Sequence, residues 1–269
     1  MDQTLIETAI LGLLQGATEF LPVSSSGHLA VSERLFGMQD AGLTLNVVLH
    51  AGTLFAIGVI LRRPLFEAVR EGVLALRHPV RWRDTPGGRD ALFVVLASVP
   101  TAVIGLLLHD VVAEWTHSPL AVGLGFATTT GLLISARLRP GGTRPVPSGV
   151  GALLIGLAQG LAVAPGISRS GATICVALWL GVKPGRAFEL SMLASVPAVL
   201  GAVLLEAPGA LRAGAIPVGS TCVGAAVALV TGMVALRLLR GVVDRGRLSW
   251  FAWWTGPLAV LCLALAAWE

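Results

Sequence analysis

The stretch GLLQGATEFLPVSSSGHLAVSERLFG at residues 12–37 recurs as GLAQGLAVAPGISRSGATICVALWLG at residues 156–181. The two segments align without gaps, and eight of their 26 positions are identical. Chance similarity between two helices rich in Gly, Ala and Leu would explain shared glycines and leucines, but not an S-x-S-G placed in the middle of both. We therefore interpret the two segments as a true internal repeat.

Each copy of the repeat contains an apolar helix, a polar break and a second apolar stretch that is too short to span a bilayer. This order predicts a re-entrant hairpin, in which a non-helical turn lies at membrane depth. Such a turn is tolerated only where protein buries it or where it lines a water-filled cavity. The sequence therefore predicts two hairpins, each with its tip near the S-x-S-G.

The composition of the chain excludes a soluble protein. Hydrophobic residues make up 55% of the 269 residues and charged residues 13%, with a mean hydropathy of +0.81, whereas a soluble domain has about 25% charged residues. We predict an all-α, polytopic membrane protein, a single domain over 1–269, with about six spanning helices plus the two re-entrant helical hairpins.

The distribution of arginine predicts the orientation of the chain in the membrane. Arginines are concentrated in the segments 62–90, 137–148 and 237–247, whereas 109–118 has no Lys or Arg. By the positive-inside rule the first three segments are cytoplasmic and 109–118 is external. Because these arginines lie between hydrophobic segments, the net charge of +4 predicts no nucleic-acid partner.

Counting crossings from these loops gives the two hairpins opposite directions of entry, the first from outside and the second from the cytoplasm. The sequence thus predicts an inverted-topology repeat, with copies at about 4–61 and 148–206. Proteins built in this way place a ligand near the bilayer midplane, between two broken helices.

Glu19 is the first candidate for chemistry, because a carboxylate inside an apolar segment is costly and is functional by default. A structural ion pair with an arginine is the alternative interpretation. Gln15 lies one turn earlier on the same helix face. Its carbonyl oxygen can bind a cation, although the amide cannot act as a base.

The polar break of the first hairpin supplies hydroxyl groups and an imidazole. Ser24, Ser25 and Ser26 precede Gly27 and His28, and one of these serines is expected to cap the helix that follows. Histidine can act as a general base towards a serine hydroxyl, or itself as the nucleophile. We interpret Ser25 and His28, three residues apart, as a catalytic pair in which either residue could be the nucleophile.

The break of the second hairpin, PGISRSGAT at 165–173, has the features of an oxyanion site. Gly166 helps to break the helix, Ser168 can cap the next one, and Arg169 lies at its start. Backbone N–H groups and the dipole at a helix N-terminus favour anions, and the planar fork of arginine suits phosphate or carboxylate. With the Ser168 and Ser170 hydroxyls, these groups predict an anionic ligand.

Three further features have structural interpretations. His50 is expected to make an interhelical hydrogen bond. Glu189 follows Arg186 at a spacing that suits an interfacial salt bridge. Trp250, Trp253 and Trp254 are typical of an aromatic belt at the membrane interface.

At these motifs the chain resembles the undecaprenyl-diphosphatase family of the integral-membrane bacitracin-resistance type. QGATEFLPVSSSGHL, starting at Gln15, is similar to its first motif, and PGISRSGAT is similar to its second. The likeness extends through LNVVLHAGTLFA, starting at Leu45, and AFELSMLASVPAVLGA, starting at Ala187. It therefore covers nearly the whole chain. One departure is Gln15, where some members have a second Glu.

The resemblance implies hydrolysis of undecaprenyl diphosphate, a polyprenyl diphosphate lipid, in the bacterial inner membrane, with a site open to the outer face. It also implies a divalent cation, Mg²⁺ or Ca²⁺, at Glu19 and Gln15. The catalytic residues would be Glu19, Ser25, His28 and Arg169. The residues implied to bind the substrate are Ser24, Ser26, Gly166, Ser168, Ser170 and Thr173.

A lipid-phosphate transporter or flippase is the alternative function, because inverted repeats with broken helices are typical of transporters. Such a protein would not need a nucleophile, so the Ser-His-Glu set favours hydrolysis. The sequence does not fix the oligomeric state, and a homodimer stays open.

Overall fold

The computed structural model describes residues 3–36, 42–138, 142–212 and 218–268. Parts of the first predicted repeat and of the predicted loop 137–148 lie outside these ranges. Within them the chain is helical and contains no strand. Its helices are α1 (Gln3–Phe20), α2 (Ser25–Phe36), α3 (Gly42–Ile60), α4 (Arg62–Arg77), α5 (Arg81–Asp84), α6 (Pro86–Thr116), α7 (Pro119–Ser135), α8 (Gly149–Leu161), α9 (Arg169–Trp179), α10 (Pro184–Arg212), α11 (Val218–Asp244) and α12 (Ala252–Trp268).

The lengths of the apolar helices confirm an all-α polytopic membrane protein. Among the described residues, four segments are long and apolar enough to cross a bilayer, in α6, α10, α11 and the region of α12. A fifth crossing is obtained when α3 and α4, which meet at an angle of 88°, are counted as one span. The apolar helix α7 has 17 residues, about the shortest length that spans a bilayer, and it packs along α12.

The segment 62–90, predicted as a cytoplasmic loop, is instead folded into α4, α5 and the first turn of α6. Within it, Arg81 makes a bidentate contact with Glu71, from Nε to Oε2 at 3.0 Å and from Nη2 to Oε1 at 3.1 Å. A helix satisfies its own backbone N–H and C=O groups, so charged side chains do not prevent it from forming. Arginine content identified a polar segment, but it did not indicate the helices.

The segment 109–118, predicted as an external loop, is mostly the end of α6, which continues to Thr116. Only two residues separate α6 from α7. Ser118 caps α7 by accepting a hydrogen bond from the Ala121 N–H at 3.4 Å, and Pro119 occupies the first helical position, where its missing N–H is not needed. Polar side chains interrupt the apolar pattern at 109–118, but α6 continues through most of this segment.

The glycines shared by the two copies of the repeat allow helices to pack closely. A Cβ on Gly12 or Gly16 would lie 2.4 or 2.6 Å from a backbone oxygen of α11. A Cβ on Gly156 would lie 2.1 Å from the Ala97 oxygen in α6. Small residues four apart permit such backbone contact in membrane helices. Thus α1 packs on α11 and α8 packs on α6 through these glycines, while the repeat and its inverted orientation stay predictions.

An ion-pair network joins α6, α10 and α11 at one end of the bundle. Arg186 contacts the buried Asp90 of α6 and donates to Glu189 at 2.8 Å, which confirms the salt bridge predicted between residues 186 and 189. Arg240 of α11 reaches Glu189 at 3.4 Å.

Candidate functional site

The two polar breaks have the same serine cap, although the backbone of Ser24 has a φ of +67° and that of Ser168 a φ of −78°. Ser24 precedes α2 and its Oγ accepts a hydrogen bond from the Gly27 N–H at 3.3 Å. Ser168 precedes α9 and its Oγ accepts from the Gly171 N–H at 3.1 Å. Each capping oxygen also lies within 3.3 Å of the hydroxyl oxygen of the serine two residues further on, which is Ser26 for Ser24 and Ser170 for Ser168. The repeated S-x-S-G is therefore an N-cap that starts the second helix of each hairpin.

The two hairpin tips contact each other and pack on α7. A Cβ on Gly27 would lie 2.9 Å from the Gly166 Cα, so this contact requires glycine. Gly166 has a φ of +85°, which favours glycine. Thr129 of α7 binds both ends of the second tip, since its Oγ1 donates to the Gly166 oxygen at 2.8 Å and accepts from the Ser168 N–H at 2.9 Å.

Glu19 lies in the last turn of α1, at the junction of the hairpins, and is buried. Its Oε1 forms an ion pair with the guanidinium of Arg169 at the start of α9. Its Oε2 accepts hydrogen bonds from Gln15 Nε2 at 2.9 Å and from Ser25 Oγ at 3.1 Å. The ion pair expected as the alternative interpretation of Glu19 is thus present, and it joins one hairpin to the other.

Ser25 and His28 are close in sequence, but the hydrogen bonds of each residue lead elsewhere. Ser25 bonds to Glu19, whereas His28 Nδ1 lies 2.7 Å from the Ser24 carbonyl oxygen. His28 Nε2 accepts from Trp254 Nε1 at 2.7 Å. Because a carbonyl oxygen only accepts and an indole N–H only donates, His28 carries its proton on Nδ1. Both ring nitrogens are therefore engaged, and the serine–histidine hydrogen bond expected from the spacing is not formed.

The first turn of α9 is fixed by buried hydroxyl groups. Thr173 Oγ1 donates to the Arg169 carbonyl oxygen at 2.8 Å and lies 2.6 Å from Ser191 Oγ of α10. Both hydroxyls are buried. Thr173 thus supports the backbone of Arg169 and does not face an open space. A ligand can contact its hydroxyl only if the hydrogen bond between Thr173 and Ser191 breaks.

A small pocket opens beside the ion pair of Glu19 and Arg169. Residues from both hairpins and from α10 line it, and its volume of about 10 Å³ has room for about one water molecule. The lining residues are Glu19, Phe20, Arg169, Ser170, Ser191, Met192 and Ser195. An anionic group that enters here meets a guanidinium, a carboxylate and three hydroxyl groups at once.

The donors around Glu19 suit a cation that is completed by a ligand. The described residues contain no group of three or more His, Cys, Asp or Glu side chains that could hold a metal. The available oxygens are those of one carboxylate, the Gln15 amide and the Ser25 hydroxyl. Mg²⁺ is commonly bound by one or two carboxylates, with substrate phosphates and water completing its octahedron, so this set fits a cation held jointly with a phosphate.

Three residues make contacts at the site that the sequence did not indicate. His50 makes its expected interhelical hydrogen bond, but with Gln15, next to Glu19. Trp254, interpreted as part of an interfacial belt, binds His28. Ser191 lies in the stretch AFELSMLASVPAVLGA, in which the sequence predicted no role for this serine. Only the tertiary contacts identify the roles of these three residues, because each lies in a helix outside the two hairpins.

Comparison with known proteins places this arrangement in a family. Residues 8–261 match the family described as bacitracin resistance protein BacA. The undecaprenyl-diphosphatase of Desulfosudis oleivorans is 40% identical over 254 residues, covering 92% of this chain and 93% of that protein. The undecaprenyl-diphosphatase of Desulfatibacillum aliphaticivorans is 38% identical over 259 residues, with the same two shares. That of Alkaliphilus metalliredigens is 34% identical over 270 residues, covering 96% and 98%.

Proposed function

The chain belongs to the bacitracin resistance protein BacA family, and on that premise we propose that the cluster of Glu19, Ser25 and Arg169 is its active site. The protein is a membrane-embedded hydrolase, an undecaprenyl-diphosphatase. It cleaves undecaprenyl diphosphate into undecaprenyl phosphate and inorganic phosphate. The monophosphate is the lipid carrier that peptidoglycan synthesis reuses.

The observation that supports this site is the hydrogen bond from Ser25 Oγ to Glu19 Oε2 at 3.1 Å. It gives a hydroxyl nucleophile an adjacent carboxylate as proton acceptor, which is how a weak nucleophile is activated. Arg169 lies at the other oxygen of the same carboxylate. Ser25 as the nucleophile and the Arg169 guanidinium as the phosphate-binding group thus both contact the carboxylate of Glu19, the base.

In the proposed reaction, Ser25 Oγ attacks the terminal phosphorus while its proton passes to Glu19 Oε2. The bond from this phosphorus to the bridging oxygen breaks, and its electron pair leaves with undecaprenyl phosphate. A water molecule then attacks the phosphorus of the phosphoserine, and the bond from phosphorus to Ser25 Oγ breaks. Oγ takes back the proton held by Glu19, and both protons of the water stay on the inorganic phosphate. Inorganic phosphate leaves, and Glu19 returns to the carboxylate form.

Arg169 binds the diphosphate in this proposal by exchanging its partner from Glu19 to a phosphoryl oxygen. The exchange keeps the guanidinium paired at every stage, which matters because an unpaired buried charge is costly. It also frees Oε1 of Glu19 as the substrate arrives. Ser168 and Ser170 flank Arg169 in the chain, and with the first N–H groups of α9 they would add donors for the anion. In the first hairpin, Ser24 and Ser26 belong to the same substrate-binding set.

His28 orients the nucleophile in this scheme. Its Nδ1–H holds the carbonyl oxygen of Ser24, the residue directly before Ser25. Ser24 has a φ of +67°, an uncommon conformation for a residue with a side chain, and the imidazole stabilises it. The alternative, in which His28 itself is the nucleophile, requires that Trp254 release Nε2.

We further propose that Glu19 and Gln15 hold Mg²⁺ or Ca²⁺ together with the substrate. Gln15 donates through its amide nitrogen, so its carbonyl oxygen is the atom that can bind a cation. When bound, the ion would neutralise charge on the phosphoryl oxygens.

For the location of the site, we propose the inner membrane with access from the outer face. The support is the arginine asymmetry, which places the first hairpin's entry outside. A homodimer also stays a proposal, and it is not needed to complete the cluster.

Phosphate release by purified protein in detergent tests the function. We expect wild-type protein to release phosphate from undecaprenyl diphosphate and Glu19→Gln to lose at least about a hundredfold in kcat, the scale of one lost acid–base group. Glu7→Gln, on the exposed part of the same helix, is the matched control and should match wild type. If the wild-type protein instead moves the intact lipid across vesicles without releasing phosphate, the flippase alternative is correct.

A further inference from the structure

His50 lies beside the proposed active site without a role in the steps above. It belongs to α3, and its Nδ1 is 3.1 Å from Gln15 Nε2 and 3.7 Å from Glu19 Oε2. Its side chain is 30% exposed. It thus hydrogen-bonds a residue proposed to bind the cation.

The hydrogen-bond chemistry of Gln15 determines the tautomer of His50. The amide nitrogen carries two hydrogens and accepts no hydrogen bond. One hydrogen goes to Glu19 Oε2 at 2.9 Å, and the other lies towards His50 Nδ1. His50 Nδ1 must therefore accept, so the ring proton is on Nε2.

We infer that His50 is a positioning residue that fixes the direction of the Gln15 amide. The two ends of an amide group have almost the same shape, so only their partners decide which end faces Glu19. Here Glu19 Oε2 and His50 Nδ1 both accept, and both therefore select the nitrogen. A reversed amide would place its carbonyl oxygen against the carboxylate, in the position from which Ser25 is activated. This inference rests on the proposed function of Glu19 as the proton acceptor.

The assigned role differs from that of an ordinary interhelical contact between α1 and α3. A purely structural bond would affect folding and substrate affinity, whereas amide orientation acts on the carboxylate that receives the proton. Loss of His50 should therefore lower kcat and leave KM nearly unchanged. It should also have no effect once Gln15 is absent.

A pair of variants with similar size separates these roles. Asparagine in place of His50 carries an oxygen at the same number of bonds from the backbone as Nδ1, whereas leucine carries none. We expect His50→Leu to lower kcat by about tenfold, the scale of one lost hydrogen bond to a catalytic group, with KM within twofold. His50→Asn should recover most of that loss. Equal losses in both variants would overturn the inference.

A double mutant tests whether His50 acts through Gln15. We expect Gln15→Leu combined with His50→Leu to be as active as Gln15→Leu alone, because coupled residues are not additive. Losses that multiply would show that His50 acts independently. Thermal unfolding in detergent, measured for every variant, shows whether a loss comes from misfolding instead.

A spectroscopic measurement tests the hydrogen bond without relying on turnover. In protein with ¹⁵N-labelled histidine, the signal that disappears in His50→Asn belongs to His50. We expect it to report a proton on Nε2, and Gln15→Leu to shift it. A proton on Nδ1 would overturn the inference, whereas an Nε2 proton in a protein that releases no phosphate would refute only the proposed function.

Discussion

The indole N–H of Trp254 donates to His28 Nε2 at 2.7 Å, and the two rings are nearly parallel, with centroids 6.1 Å apart. The two residues are 226 positions apart in the sequence. Trp254 thereby sets the tautomer of His28, because an imidazole that accepts at Nε2 must donate from Nδ1. That second nitrogen holds the Ser24 carbonyl, so the indole acts on the turn that presents Ser25.

Replacement of Trp254 by Phe keeps an aromatic ring and removes the N–H. We expect kcat to fall by about three- to tenfold, since one hydrogen bond contributes about 0.5–1.5 kcal/mol. The measurement is phosphate release in detergent. Trp253→Phe is the control, because that side chain is 82% exposed and should tolerate the change. Equal effects of the two changes would mean that the hydrogen bond has no role in catalysis.

Ser25 is expected to be the nucleophile. Ser25→Ala should lower kcat by at least about a hundredfold, and combination with Glu19→Gln should add little, because residues that act as a unit are strongly non-additive. Ser32→Ala, further along α2, is the control. A phosphoenzyme that is stable to acid and labile to base would identify phosphoserine, and the opposite lability would assign the nucleophile to His28.

Arg169 is expected to require its planar fork. Arg169→Lys keeps the charge but offers no bidentate contact to Glu19 or to phosphate. We expect at least a loss of about tenfold in kcat/KM, equivalent to about 1.4 kcal/mol. The exposed Arg144, changed to Lys in the same way, should have no effect. Activity of Arg169→Lys within twofold of wild type would contradict the proposed clamp.

Thiol labelling of intact cells tests the orientation in the membrane. Single cysteines would replace the exposed residues Asp84 and Glu114 in a protein without Cys175, Cys222 and Cys262. We expect an impermeant reagent to label position 114 in intact cells and position 84 only in opened membranes. The reverse pattern would invert the orientation and with it the entry side of both hairpins.

The ion-pair network around Arg186 is expected to stabilise the fold. Arg186→Leu leaves the buried Asp90 and the neighbouring Glu189 without this partner, and breaking such a pair costs about 3–5 kcal/mol. We expect a clear decrease in the unfolding temperature in detergent. Arg70→Leu is the control, because Arg70 is 60% exposed and lies 3.8 Å from its partner. A decrease no larger than that of the control would show that the network is not stabilising.

Local features of the fold and of the site were predictable from the sequence. Composition alone identified a membrane protein, because so few charged residues cannot cover a soluble surface. The two S-x-S-G segments indicated both helix breaks, and Ser24 and Ser168 do cap the helices that follow. These features depend on residues close together in the chain, where spacing fixes the geometry.

Charged residues did not predict the backbone conformation of the polar segments. The segments 62–90 and 109–118 were predicted as loops because charged residues interrupt the apolar pattern, yet both are largely helical. A helix satisfies its own backbone in water, at the membrane interface and in the bilayer alike. Polarity reports where a residue lies relative to the bilayer, and it does not report the backbone conformation.

The internal repeat and its motifs predicted that Glu19, Ser25, His28 and Arg169 belong to one site, whereas only the tertiary structure decided which of them are bonded. The spacing predicted Ser25 with His28, but the packing pairs Ser25 with Glu19 and His28 with Trp254. A hydroxyl or ring N–H group donates its one hydrogen to one partner at a time, so that partner depends on which groups the packing of the helices brings beside it. Helix periodicity gives the face on which a residue lies, and the packing of the other helices determines what that face meets.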